Sequence, residues 1–475
     1  MRDLIAGGIG MFDHLDRFAA RTAIVTDDGR RLSYTQLLAQ ADGIAACVET
    51  RSLVLIVTRN EPAAVAAYVG LQRAGCVTML VNHKTGEDAL LALIDAFRPA
   101  FVFLPSDLAG IISASPLHRV DDYTLSATGI APDYTMHAEL AVLLGTSGST
   151  GSPEYVRLSR SNLAANTRSI VEYLGIAAND RAITTMPMSY SYGLSIINTH
   201  LAMGATLVTT ELSLMEKPFW TLLREARVTT FGGVPFIYQM LKRLHFERMQ
   251  LPHLRYITQA GGRLDTELAR EFAHWCAEKG VGFIAMYGQT EATARIAYVP
   301  AEHAAAKAGT IGIAIPGGRI WLAGENGKPV VNGTPGEIVY EGANVSLGNV
   351  RDRFALAEPD RRRGVLFTGD IGSRDRDGFF LIHGRKSRFL KVFGHRVGLD
   401  DVEQLLARRG IEAVCAGVDD ALVIFTADAG AIDRIRDIVR DNTSISPKGI
   451  KITQIASIPR NDAGKVRYAA LNELT

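Results

Sequence analysis

Three neighbouring segments restrict the fold more than anything else in the chain. Leu53-Val54-Leu55-Ile56-Val57 is an unbroken apolar run rich in β-branched residues, which reads as a strand buried on both faces. Residues 61–74 (EPAAVAAYVGLQRA) carry apolar residues at helical spacing among good helix formers, and Gly75 ends them. Residues 77–81 then read as a second strand. Strand, helix and strand with short joins form a βαβ unit, and a parallel sheet built this way needs helices over both faces. Phe101-Val102-Phe103-Leu104, closed by Pro105, adds a strand. The middle of the chain repeats the style, with strands expected at 205–209, 255–258 and 283–286 and helices at 219–226 and 266–279. A sheet system of this extent needs a long chain with an ample core, and the 475 residues, 47% hydrophobic and 21% charged, supply both.

The composition shifts from about residue 309, where glycine becomes frequent and short strands such as 336–340 replace helices. A boundary falls near Gly384-Arg385-Lys386-Ser387-Arg388. Beyond it the pattern predicts a helix at 400–409, strands at 413–417 and 421–426, a helix at 431–441 and a strand at 451–458. The expected fold is therefore α/β: a large N-terminal domain of parallel-type βαβ sheets plus a small β-rich subdomain at about 309–384, then a small α+β C-terminal domain. Arg361-Arg362-Arg363 reads as a solvated loop.

With 51 Lys and Arg against 50 Asp and Glu, the net charge is +1, which gives no support to nucleic-acid or membrane-surface binding through bulk charge. Cys47, Cys76, Cys276 and Cys415 are far apart and show no metal-knot or disulfide spacing. No stretch approaches the ~18 apolar residues of a membrane span, and the first residues show no basic stretch followed by an apolar one. A cytoplasmic protein is the expectation.

The segment richest in chemistry is Leu143-Leu144-Gly145-Thr146-Ser147-Gly148-Ser149-Thr150-Gly151-Ser152-Pro153. An apolar strand runs into a loop with glycine at every third position and hydroxyls between. Glycines let backbone N–H groups converge on one anion, and the hydroxyls add donors, so the loop suits a triphosphate. It lacks the order of a Walker A loop, and by itself it also fits a flexible Ser/Gly turn. Further segments bear on the choice. Tyr287-Gly288-Gln289-Thr290-Glu291 offers a ring for stacking, a hydroxyl for phosphate and a carboxylate for a metal. Thr368-Gly369-Asp370 puts an acceptor carboxylate after a tight turn. Gly384-Arg385, Lys391, Gly394-His395-Arg396-Val397 and Pro459-Arg460-Asn461-Asp462-Ala463-Gly464-Lys465 follow.

Taken together and in this order, these segments make the chain resemble the adenylate-forming enzymes: acyl- and aryl-CoA synthetases, peptide-synthetase adenylation domains and luciferases. The resemblance spans about residues 15–470. It implies ATP-dependent activation of a carboxylic acid to an acyl-adenylate with release of pyrophosphate, then transfer to a thiol on CoA or on a carrier protein's phosphopantetheine. It also implies an AMP-binding N-terminal domain (1–385) and a mobile C-terminal lid domain (386–475) that rotates between the steps.

By that resemblance, Thr146, Ser147, Gly148, Ser149, Thr150 and Gly151 cradle the β- and γ-phosphates. Gly261 and Gly262 flank adenine, against which Tyr287 and Gly288 lie. Thr290 meets the α-phosphate, Glu291 holds Mg²⁺, and Asp370, assisted by Arg385, grips the ribose. Lys465 bridges the reacting carboxylate and the α-phosphate, offsetting the repulsion between two anions. Ser387 stands at the hinge, with Lys391 and Gly394 in the loop used for thiol transfer. Tyr190, Tyr192, Phe231, Gly232, Val234, Met286 and Ile296, beside Gly261, line the acyl pocket.

Four departures stand out. Glu154 follows Pro153 where the family often has Lys, with Arg157 the candidate to restore the charge. Ser189-Tyr190 replaces the aromatic–His pair, the hinge is Ser387 in place of Asp or Lys, and Arg396-Val397-Gly398 ends differently. Residues 187–193 hold no carboxylate to pair an α-ammonium, so a plain acyl or aryl acid is expected, and the two Tyr hydroxyls favour a modestly polar one. CoA stands slightly ahead as acceptor, with Arg388, Arg408, Arg409, Arg434 and Arg436 as its basic candidates. A carrier protein or an amine is the alternative acceptor. From another class, a non-catalytic nucleotide-binding protein of the same fold competes.

Overall fold

The computed structural model describes residues 11–146, 154–331, 333–392, 395–442, 449–460 and 466–474. Two compact units divide the chain: residues 1–146, 152–319 and 341–366 make the first, and residues 147–151, 320–340 and 367–475 the second.

The first unit holds two large sheets with helices between and outside them. Leu53–Thr58, Val77–Asn82, Phe101–Pro105 and Leu140–Gly145 run parallel in the middle of an eight-stranded sheet, to which Tyr155–Ser159 and then Gly348–Val350 add antiparallel. Thr22–Thr26, Thr206–Thr209, Arg181–Ile183, Thr230–Gly233, Tyr256–Gln259 and Gly282–Tyr287 form the parallel run of a nine-stranded sheet.

Strand alternation sorts the side chains into layers. Val54 and Ile56 join Ile24 and Leu207 of the other sheet in one core, filled by the helices Tyr34–Ala45, Pro62–Arg73, Arg160–Leu174 and Ser191–Ala202. Leu53, Leu55 and Val57 face the opposite way, onto Leu90, Leu93 and Ile94 of the helix Glu87–Phe97. Val25, Ile183 and Val208 pack against the helices Lys217–Glu225, Pro235–Arg243 and Thr266–Glu278. The order is helix, sheet, helix, sheet, helix. The helix Pro62–Arg73, whose first ten residues are all buried, lies in the central layer.

The second unit holds a four-stranded sheet ordered Gly318–Ala323, Gly336–Gly342, Val365–Arg374, Phe380–Arg385. It also holds a hairpin, Phe389–Val392 with His395–Gly398, and a sheet of Ala413–Val418, Ala421–Thr426 and Ile450–Gln454 packed on the helices Leu399–Ala407 and Ile432–Asn442. The strand expected over 451–458 ends at Gln454, five residues before Pro459, which has no N–H for a ladder.

Candidate active site

Parallel strands deliver their loops to one end of a sheet, where ligands bind in open α/β folds. The strands Thr230–Gly233, Tyr256–Gln259 and Gly282–Tyr287 are neighbours in the nine-stranded sheet. Their C-terminal ends carry Gly232 and Val234, Gly261 and Gly262, and Met286 to Glu291. The helix Ser191–Ala202 brings Tyr190 and Tyr192 to the same end.

Gly261 has φ +83, and a Cβ there would stand 2.8 Å from the Tyr190 hydroxyl and 2.9 Å from Val234 Cγ1. A Cβ on Gly232 would stand 2.4 Å from the Tyr192 hydroxyl. The glycines are thus where two tyrosines close on backbone. Tyr192 is 2% exposed, and its hydroxyl bonds Thr258 at both the carbonyl (2.8 Å) and Oγ1 (2.7 Å). Tyr190, at the N-cap of the helix, is only half-buried. Met286 and Ile296 are buried on adjoining backbone, where the Ile296 N–H donates to the Tyr287 carbonyl at 2.9 Å. Phe231 points the other way, ring to ring with Phe246 at 6.2 Å in the core beneath the outer helices.

After Tyr287 the chain turns tightly. A Cβ on Gly288 would lie 1.8 Å from the Ala294 carbonyl oxygen, so no other residue fits. A single 3₁₀ turn, Thr290–Ala292, presents both polar side chains. The Thr290 hydroxyl donates to Ser191 Oγ at 3.3 Å, at the first residue of the helix. The Glu291 carbonyl accepts from the Ser346 N–H at 2.9 Å, and its half-buried carboxylate has no ion pair or hydrogen bond within the described residues. Among those residues no three His, Cys, Asp or Glu gather as a metal cage. One unengaged carboxylate fits Mg²⁺, which is usually held by one or two carboxylates together with substrate phosphates.

The stem of the loop expected to hold phosphates is an antiparallel hairpin, with Gly145 opposite Tyr155. Thr146 closes it, its N–H donating to the Glu154 carbonyl at 2.9 Å. Ser147, Gly148, Ser149, Thr150 and Gly151 lie outside the described residues. Glu154 accepts from Asn349 Nδ2 at 3.1 Å and from Arg351 at 2.9 and 2.6 Å. Those partners hold its carboxyl below the ordinary value, the Asn349 amide foremost, and they spend its charge away from a phosphate.

Arg157 does not restore the missing cation. It is 0% exposed, and its guanidinium donates to the carbonyls of Glu358, Leu347 and Pro359. A group committed to three carbonyls in the core ties a surface segment to the strand, and no phosphate reaches it. The expectation of a solvated Arg361-Arg362-Arg363 loop also fails at its centre. Arg362 donates to Ser346 Oγ and, at 3.0 Å, to Asn349 Oδ1, and its charge is felt by Glu291 and Glu154. Burial holds its pKa below the ordinary value. Of the three arginines, the outer two give no warning in sequence that the middle one folds inward.

In the second unit, Asp370 and Arg385 face each other across an antiparallel ladder, with Nε to Oδ1 at 3.2 Å. Gly369 has φ +74, the left-handed bend that aims the buried Asp370, and the Asp370 N–H donates to Thr368 Oγ1 at 3.1 Å. Ser387 falls in the turn Lys386–Arg388 and Lys391 in the strand Phe389–Val392. The side chains of both, together with Gly394 and Lys465, lie outside the described residues. Arg388 is not available to CoA: it bonds Asp400 and Glu403 at 2.5 Å each and stacks 3.7 Å above the Tyr468 ring. Three further polar residues escaped sequence reasoning. Arg295, Ser195 and His200 are all buried, and the only hint was a lone cation in the apolar run after Glu291.

The model of a family described as AMP-binding enzyme matches residues 11–349. A feruloyl-CoA synthase of Amycolatopsis is 27% identical over 475 aligned positions, 95% of each chain. A D-alanine–D-alanyl carrier protein ligase of Streptococcus pyogenes is 26% identical over 86% of this chain and 84% of its own. The fold is shared with an O-succinylbenzoate Coenzyme A synthetase from Bacillus subtilis solved with AMP, at a TM-score of 0.79, 21% identity and 98% coverage of both chains.

Proposed function

Since the chain belongs to the AMP-binding enzyme family, we propose that the sheet end carrying Tyr190, Val234, Gly261 and Met286 receives a carboxylic acid without an α-ammonium, and that CoA takes the product. The chain is an AMP-forming acid–thiol ligase that uses ATP and magnesium. In the first step a carboxylate oxygen of the acid attacks the α-phosphorus of ATP, the bond to the β-phosphate oxygen breaks, and pyrophosphate leaves with that electron pair. In the second a thiolate attacks the acyl carbon and AMP departs.

The observation that carries the assignment of the site is the turn Thr290–Ala292. It sets the Thr290 hydroxyl against Ser191 at the first residue of the helix, and it leaves the Glu291 carboxylate without a hydrogen bond or ion pair among the described residues, near the half-buried charge of Arg362. In this reading Thr290 steadies the α-phosphate and Glu291 holds Mg²⁺, which when bound neutralises phosphate charge. Lys465 supplies the mobile cation from a lid domain of residues 386–475. Asp370 and Arg385 orient the ribose, and Ser147 to Gly151 close over the outer phosphates.

The absence of any carboxylate over residues 187–193 supports the plain acid, because an unpaired ammonium there is costly. CoA stands ahead of a carrier protein on the feruloyl-CoA synthase relative. The carrier-protein ligase relative keeps the second acceptor in play. Four cysteines without disulfides and the absence of a membrane-spanning helix among the described residues support a cytoplasmic location. Product analysis by mass spectrometry after incubation with ATP, an acid panel and either CoA or a phosphopantetheinyl carrier decides the acceptor. Formation of acyl-CoA is the expected result, and loading of the carrier alone would reverse the preference.

A further inference from the structure

A narrow cavity lies among residues expected to line the acyl pocket, and the roles above leave its buried polar groups without a task. Tyr192, Gly232 and Met286 line it, and its polar lining includes Ser195, Thr199, His200, Thr230, Thr258 and Arg295. The space open to a water's centre is about 20 Å³, room for about one water.

Arg295 is 2% exposed. Its guanidinium lies 4.3 Å above the centre of the Tyr192 ring. It donates to Ser195 Oγ at 3.2 Å, to Met286 Sδ at 3.3 Å and to the Ala294 carbonyl at 3.4 Å, and it bonds the Tyr173 phenol. No carboxylate among the described residues pairs with it. A guanidinium does not surrender its proton, so the fold keeps a full positive charge in the interior, where an ion without a counter-ion is expensive. An aromatic face, a thioether and a hydroxyl offset only part of that cost.

The second observation is independent. His200 is 2% exposed, and its Nδ1 meets the Ile196 carbonyl at 2.9 Å. A carbonyl only accepts, so Nδ1 carries the proton. That leaves Nε2, which is buried without a partner. Buried polar atoms are nearly always satisfied, and His200 lines the same cavity as Arg295.

We propose that the acid activated here carries a second acidic group at the end remote from the reacting carboxylate, and that Arg295 is the counter-ion of that group. The inference rests on the ligase reading above. The distal group sits against the guanidinium, in the cavity that His200 also lines. Met286 is the yielding wall, since its unbranched thioether can rotate to admit a group larger than water. The reacting carboxylate belongs elsewhere, beside Thr290, whose hydroxyl bonds Ser191. Ser195, which holds Arg295, stands four residues further along the same helix, about 6 Å. The two ends of a short or aromatic diacid span that separation.

The test uses the full chain in acid-dependent ATP–pyrophosphate exchange with matched pairs, succinate against butyrate and terephthalate against 4-methylbenzoate. The diacid of at least one pair is expected to have kcat/KM at least tenfold above its partner. Arg295→Met is expected to abolish or invert that preference, and Arg295→Lys to retain part of it. Thermal shifts with the same acids, in the presence of a non-hydrolysable ATP analogue, report the folding of each variant and acid binding without turnover. Equal or better use of the mono-acids by the wild type would overturn the inference. So would equal losses for both members of a pair in Arg295→Met, a stronger response to 4-hydroxybenzoate than to terephthalate, or the absence of any acid-specific shift. A diacid-specific shift that Arg295→Met removes, in a protein showing no exchange, would uphold the cavity's role and sink the ligase reading instead.

Discussion

Single residues fix the geometry of this site by what they lack as much as by what they carry. Gly288 permits the turn that follows Tyr287, since any side chain there meets the Ala294 carbonyl. Gly288→Ala is expected to lose exchange activity and to destabilise the fold by at least ~2 kcal/mol, the scale of an overpacked core, read as a lowered thermal midpoint. An alanine variant of wild-type stability would show that the turn yields. Glu291→Gln keeps the shape and removes the charge. It is expected to lower exchange at least ~100-fold at moderate Mg²⁺, with partial recovery as Mg²⁺ is raised, which a titration would display. At this scale the candidates Tyr287 to Glu291 were legible as one contiguous run. Arg157, Arg295 and Arg362 were misread or missed. Whether an arginine folds inward depends on carbonyls and hydroxyls contributed by distant segments, such as Leu347 and Glu358 for Arg157, and no spacing rule announces those.

Among the elements, the hairpin Leu140–Gly145 with Tyr155–Ser159 shows how a departure in the phosphate loop is absorbed. Glu154 sits at its base, and the neighbouring strand Gly348–Val350 brings Asn349 and, just past its end, Arg351 to meet it. Arg351→Ala should release that carboxylate toward the polyphosphate, raising KM for ATP several-fold with little change in kcat. An unchanged KM would mean that Glu154 keeps facing away without its arginine. The pH dependence has a definite sign. Because the folded-state pKa of Glu154 is held low, its ion pair contributes at neutral pH and is lost as pH falls through that lowered value. The difference in stability between wild type and Arg351→Ala should vanish in strong acid. Elements with one clear period were legible, as the strand Leu53–Thr58 and the helix Pro62–Arg73 show. The helix Arg160–Leu174 was not, because Asn162, Asn166, Thr167 and Ser169 are buried with its apolar residues and blur the stripe. The hairpin Ser115–Val120 with Tyr123–Ala127 was hidden by an exposed, polar first strand.

At the scale of the whole molecule, the chain divides into two units, and each has its own core. The second unit is pinned by Arg388 between Asp400, Glu403 and the Tyr468 ring. Removing the cation strands two largely buried carboxylates. Arg388→Met is expected to destabilise this unit by ~3–5 kcal/mol, visible in calorimetry as an earlier transition while the first unit's melting stays put. A variant that melts like wild type would show that the cluster is not what holds the second unit together. The parallel sheets followed from the alternation of strand and helix, whereas residues 320–340 group with the C-terminal part through contacts far apart in sequence. This chain activates a carboxylic acid on ATP, and we propose Lys465 as the decisive cation. Acid-dependent ATP–pyrophosphate exchange in wild type and Lys465→Ala, with ATP affinity measured alongside, tests it most directly. Exchange that requires an acid and Mg²⁺ and falls at least ~100-fold in the variant, with ATP affinity nearly unchanged, is the expected result. Exchange with no acid in a broad panel, or exchange indifferent to the loss of Lys465, would contradict it.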